Sequence, residues 1–201
     1  MRNLDQAPGH EELLDHNGKP RMTVEMPLSY EQTRLAMAFH EAGHAVLSMV
    51  CGMHVISSEV IAWEPEHGGW SVTGRTIHRS LNVDPWEFAA ECAAGELAQL
   101  HFLRVNGLWT PERAAACVAD HDRELAIDVL APFGYRIGRD HAPEGGMSWA
   151  AVQAMAVARM LRLWDEIAVV ANAMDARDAL TGDEIADLTG LVNHPMAWGA
   201  A

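Results

Sequence analysis

The sequence predicts a mainly α domain carrying one small β-hairpin. Three observations carry that expectation. Apolar residues at helical spacing run from Tyr30 to Val50, two segments rich in β-branched and aromatic residues flank a glycine turn, and capping residues at Asp84, Thr110, Ser148 and Thr181 mark later helix starts.

Residues 1–29 are polar and broken by Pro8, Gly9, Gly18, Pro20 and Pro27, which predicts a flexible N-terminal arm. From Tyr30 onward, Leu35, Ala38, Phe39, Ala42, Val46, Met49 and Val50 recur at three and four residues and stop at Cys51-Gly52, the pattern of a helix with a buried stripe. The segments VISSEVIAW and WSVTGRTI suit a pleated surface, and Pro65, Gly68 and Gly69 between them supply the turn of a hairpin. Asp84-Pro85-Trp86-Glu87 combines an N-cap aspartate with proline at the first helical position, and the helix it opens is expected to stop near Asn106-Gly107.

Thr110-Pro111 starts a helical stretch with an interruption expected around Asp120, closed by Pro132 and Gly134. Residues 138–146 read as loop. Ser148 caps a run reaching about Arg177, long enough that a bend or break within it is expected. Thr181-Gly182-Asp183-Glu184 is a capping box for a short last helix ending near Gly190. The domain is thus expected over residues 30–192, with 193–201 as a tail.

Composition narrows the functional classes. A net charge of -14, from 28 acidic and 14 basic residues, gives a field that repels phosphate backbones and anionic lipid, so neither nucleic acid nor a membrane surface is an expected partner. Cys51, Cys92 and Cys117 are odd in number, far apart and without CxxC spacing, which predicts reduced thiols rather than disulfides or a cysteine metal site. The first residues lack a signal-peptide apolar core and no run of eighteen apolar residues occurs, so a cytoplasmic protein is expected.

The chemistry is concentrated in His40-Glu41-Ala42-Gly43-His44, an HExxH motif inside the first predicted helix. Residues four apart share a helix face, so both imidazoles can ligate one metal, expected to be a single zinc per chain. Glu41, on the same turn, can take a proton from water on that metal and hand one to a leaving amine. Two histidines four apart can arise by chance among 11, but the intervening glutamate and small Ala42 and Gly43 favour a metal site. Glycine within a helix costs ~1 kcal/mol against alanine, which predicts a close approach to that face. For a third ligand, spacing leaves Glu64, Asp120, His121 and Asp122 open; Glu64 stands where thermolysin-like enzymes carry theirs, yet falls in the predicted hairpin turn. The isolated His10, His16, His101, His141 and His194 read as surface or satisfied core residues, and the late Met155, Met160, Trp164 and Met174 as packing.

FHEAGHAV resembles the peptidase unit of the FtsH-type AAA+ zinc proteases, whose signature is HEAGHAV in the same helical setting. Further segments follow in that family's order: the hairpin, ECAAGELAQL for its small-residue helix GGRAAE, DRELAIDVL for its DLERATEIA, and WDEIAVVANAMDARDALTGDEIADL for its closing helix, turn and helix start. The resemblance spans about residues 30–190; HEAGH alone is individually specific, and the rest counts through its order. It implies an FtsH-type zinc peptidase fold with His40, His44 and Asp122 as ligands, Glu41 as catalytic base, and a polypeptide substrate. It further implies that substrate adds as a strand to the hairpin, with Trp63, Trp70 and Val72 shaping the pocket wall, although hairpin packing is the plainer reading of the tryptophans.

The chain departs from the family at Gln99, where GGRAAE has glutamate, and in lacking a recognisable TTG segment before Asp122. No GxxxxGK[ST] phosphate loop occurs and no membrane span precedes the motif, so the ATP-driven unfolding unit is missing from the chain. The expected activity is ATP-independent peptide hydrolysis by a zinc-activated water, in which no acyl-enzyme forms. The alternative is a zinc-containing, catalytically inactive binding or regulatory module. By analogy alone, a homo-oligomer or a separate unfoldase are the protein partners to consider.

Overall fold

The longest helix, α1 (Tyr30–Val50), packs against two later helices and both long strands of the hairpin. Its start is fixed by a capping box in which the Ser29 hydroxyl accepts from Gln32 N–H and the Gln32 side chain accepts from Ser29 N–H. Every residue from Ala38 to Met49 is buried, so α1 is enclosed on all sides rather than amphipathic. The computed structural model describes residues 8–20, 27–66, 68–79 and 82–196; the rest of the predicted arm (1–7 and 21–26), the turn residue His67 and the end of the predicted tail (197–201) lie outside them.

The hairpin forms as expected from β1 (His54–Trp63) and β2 (Ser71–Arg79), antiparallel, with Trp63 opposite Ser71 at the turn end and an irregularity between Val55 and Ser57. The predicted helix from Pro85 is two helices, α2 (Pro85–Cys92) and α3 (Ala94–Val105), separated at Ala93. The close approach expected at Gly43 is made by α3: a methyl there would stand 2.7 Å from the Ala94 carbonyl oxygen and 2.8 Å from Ala98 Cβ.

The interruption expected around Asp120 separates α4 (Pro111–Ala116) from α5 (Asp120–Leu130). A single turn of tighter helix, Ala131–Phe133, and left-handed Gly134 close that region. Two short parallel strands, β3 (Ile137–Gly138) and β4 (Met147–Ser148), bracket the expected loop. The long late helix breaks as expected, at Leu161–Leu163, into α6 (Trp149–Met160) and α7 (Trp164–Arg177).

A third strand, β5 (Ala179–Thr181), was not foreseen; it pairs with β1 and gives the antiparallel order β2-β1-β5, leaving β2 at an edge. It is entered through Asp178 at φ 72°, whose carboxylate, with that of Asp175, pairs with buried Arg34 of α1. The last helix, α8 (Gly182–Thr189), starts at the predicted Thr181–Glu184 capping box and ends at left-handed Gly190. The fold is therefore mainly helical with a small antiparallel sheet, and no helix among the described residues is long and apolar enough to cross a membrane.

Candidate metal centre

The i, i+4 spacing of α1 aims two buried rings at one point: His40 Nε2 and His44 Nε2 lie 3.2 Å apart. Asp122, in the first turn of α5, completes a triangle, its Oδ2 standing 3.3 Å from each nitrogen. Glu96 seats that turn by accepting from Ala119 N–H at 3.2 Å and from the Gln153 amide at 3.3 Å, tying α3 and α6 to the start of α5. Among the described residues, His40, His44 and Asp122 form the one group placed to hold a metal ion.

Three features test whether an ion fits. Asp122 Oδ2 is buried and makes no hydrogen bond of acceptable geometry, so a buried carboxylate oxygen is aimed at the two ring nitrogens without a well-formed partner. Donor atoms about 2.0 Å from a tetrahedral zinc stand about 3.3 Å apart, so the triangle already has the required size. Finally, the space beside both nitrogens is kept by a missing side chain: a methyl on Gly95 of α3 would lie 2.3 Å from His44 Nε2 and 2.5 Å from His40 Nε2. The residues fit a divalent cation.

Neither recurring family models nor curated proteins match this chain.

Each donor has an outer partner. His40 Nδ1 is 3.3 Å from Gln99 Oε1, so the glutamine that departs from the family pattern still supplies an acceptor. His44 Nδ1 is 3.2 Å from Glu91 Oε1, and His121 Nε2 is 3.2 Å from Asp122 Oδ1. Of the rival ligands, His121 thus supports Asp122 instead of joining the cluster. Asp120 is 66% exposed and pairs with Arg123, and Glu64 is exposed just past the end of β1.

Glu41 is buried beside the cluster without belonging to it. Its Oε2 accepts from Thr76 Oγ1 at 2.8 Å, and Thr76 is itself 2.8 Å from Ser58, its cross-strand neighbour. Gly74 lets the carboxylate lie against β2, because a methyl there would be 2.4 Å from Glu41 Cγ and 2.5 Å from Oε1. Burial pushes the Glu41 carboxyl above its usual range, with the flanking histidines pulling the other way. For Asp122, burial acts upward too, but His44 and His40 outweigh it and hold the carboxyl well below that range. Burial would lower His44, yet Asp122 and Glu91 lift it well above the ordinary histidine value.

A cavity of about 270 Å³ opens over the cluster, walled by β2 residues 74–76 and 78 and by α5 residues His121, Asp122 and Leu125. Trp63, Trp70 and Val72 are not among its lining residues. Trp70 instead meets Tyr30 edge to face at 5.7 Å, and Val72 packs on the core. These three sit at or beside the turn end of the hairpin, whereas the cavity is lined by Gly74, Arg75, Thr76 and His78 further along β2. Part of the predicted arm lines the cavity as well, through Leu14, Asp15 and His16, with His16 Nε2 2.8 Å from Asp128 of α5. Reading the sequence missed Thr76, Glu91, Gly95 and these arm residues. None carries a local motif; alternation of Gly74, Thr76 and His78 along one strand face was the sole available signal.

Proposed function

We propose that the chain is a zinc-dependent metallopeptidase that hydrolyses flexible or unfolded polypeptides. The observation that carries this reading is a His40–His44–Asp122 triangle beside Glu41, a carboxylate that is not part of the triangle and is fixed by its own hydrogen bond. Two histidines and a carboxylate also suit ferrous iron, but here both histidines enclose the glutamate on one helix, the arrangement of zinc hydrolases. The inclusion of Asp122 supports the resemblance to FtsH-type peptidase units.

Zinc supplies Lewis acidity, lowering the pKa of water and polarising a carbonyl. Glu41 takes the proton of the attacking water and delivers it to the leaving amine, and its raised pKa suits both halves of that task. Thr76 occupies Oε2 and leaves Oε1 for the transfer. An extended substrate segment adds beside β2, the outermost strand of the sheet, which demands consecutive unpaired backbone groups in the substrate and so selects flexible chain. We read hydrolysis by this chain itself as independent of ATP. Free Cys51, Cys92 and Cys117 fit the reducing, cytoplasmic setting expected from the sequence.

The test is turnover of a quenched random peptide library by zinc-loaded protein. Cleavage is expected, with loss on chelation. Glu41→Gln should keep zinc while turnover falls about 10²- to 10⁴-fold. No cleavage by fully loaded wild type, or loss of metal from the glutamine variant, overturns the reading.

A further inference from the structure

We propose that Glu91 is a positioning residue of the metal centre, holding His44 with Nε2 toward the ion and making it the firmer of the two histidine ligands. The inference rests on the metal-binding reading of the site. Glu91 lies in the last turn of α2, two residues ahead of the break at Ala93, and is 2% exposed. The other buried residues of α2, Phe88, Ala89, Ala90 and Cys92, are apolar, so packing alone gives no reason for a charge there.

The reason lies in what surrounds the carboxylate. Oε1 is 3.2 Å from His44 Nδ1 and 3.3 Å from the Ser48 hydroxyl, while Oε2 is 3.5 Å from His78 Nε2 on β2. The Glu91 carbonyl oxygen is a second acceptor, 3.1 Å from the same Nδ1. With two acceptors facing it, Nδ1 must carry the ring proton, and the lone pair is confined to Nε2, the atom in the triangle. His78 and Ser48 hold the carboxylate from the strand and from α1, so it cannot swing away from His44.

His40 is supported differently, since its Nδ1 faces a neutral amide oxygen at 3.3 Å. A charged acceptor bonds more strongly than a neutral one and raises the basicity of the ring it holds. Two histidines that spacing makes equivalent are therefore unequal donors.

Zinc affinity of wild type and Glu91→Gln, measured by competition with a chromogenic chelator, tests this without reference to turnover. The amide keeps shape and an acceptor but removes the charge. Zinc should bind about 10- to 100-fold more weakly, and the visible spectrum of the cobalt-substituted variant should shift from that of wild type. Independently of the variant's stability, nitrogen-15 NMR of zinc-loaded wild type gives a second readout, with His44 expected to be protonated at Nδ1 and bound through Nε2. Equal affinities with unchanged cobalt spectra, or His44 bound through Nδ1, overturn the inference and leave the metal site standing. A wild type that binds no zinc removes both.

Discussion

On the helical side of the site, His40, His44 and Asp122 converge from α1 and α5 with each donor 3.2–3.3 Å from the next. On the sheet side a single group, Glu41, lies under Gly74 and is tied to Thr76 and through it to Ser58. On the proposed reading the first region holds an ion and the second a base, so damage to one should leave the other intact. Each side also has its own glycine, Gly95 or Gly74, at the point of closest approach.

The largest effect that separates the two belongs to the ligands. Asp122→Ala should weaken zinc by on the order of 10³-fold, about a third of the ~10–16 kcal/mol typical of structural zinc sites, whereas Asp120→Ala and Glu64→Ala leave it unchanged. Chelator competition on the three variants measures this, and equal losses would erase the distinction between Asp122 and its neighbours. The glycines give a sharper contrast. Gly95→Ala should abolish metal binding by pushing a methyl against both histidine nitrogens, while Gly74→Ala should keep the metal and displace Glu41. Peptide cleavage should fall in both variants, and metal content should fall only in the first.

Thr76→Val keeps the shape of the strand and removes one hydrogen bond to a charged group, about 1.5–3 kcal/mol. Turnover should fall ~10- to 100-fold with zinc affinity unchanged, and Thr76→Ser should recover most of it. The smallest effect concerns pH in the metal-free protein. The raised pKa of His44 contributes stability that is full below 6.5 and disappears as pH rises through its higher folded value. The lowered pKa of Asp122 contributes above 3.8 and is lost as pH falls through its folded value. Chelated protein should therefore melt at higher temperature in mild acid than at alkaline pH. Zinc-loaded protein should show the opposite trend, because protons compete for the same histidine.

How much of this was legible in the sequence depended on distance along the chain. The HExxH helix, the hairpin, the breaks near Asp120 and within residues 148–177, and the Thr181 cap follow from local spacing and capping chemistry. Asp122 was reached through an ordered resemblance, since spacing alone left four candidates. Glu91 and Thr76 lie 47 and 35 residues from the side chains they hold, and no periodicity encodes such pairings. Strand β5 is three residues long, too short for alternation to register. That Trp63, Trp70 and Val72 stand outside the cavity lining was not legible, because a hairpin's existence is local information, while the part of it that borders a cavity is set by tertiary packing.

The sharing of one ion between α1 and α5 has a mechanical consequence. Helix α1 is buried through most of its length, but α5 buries only Ala126 and Leu130. An ion bound to His44 and Asp122 closes a loop of 122 − 44 = 78 residues, acting as a reversible cross-link in the manner of a disulfide. The α1 end of that link is deeply buried and the α5 end lightly packed, so metal removal should loosen α5 and the cavity wall it carries while the hydrophobic interior persists. Zinc availability would then govern the shape of the cleft as well as its chemistry.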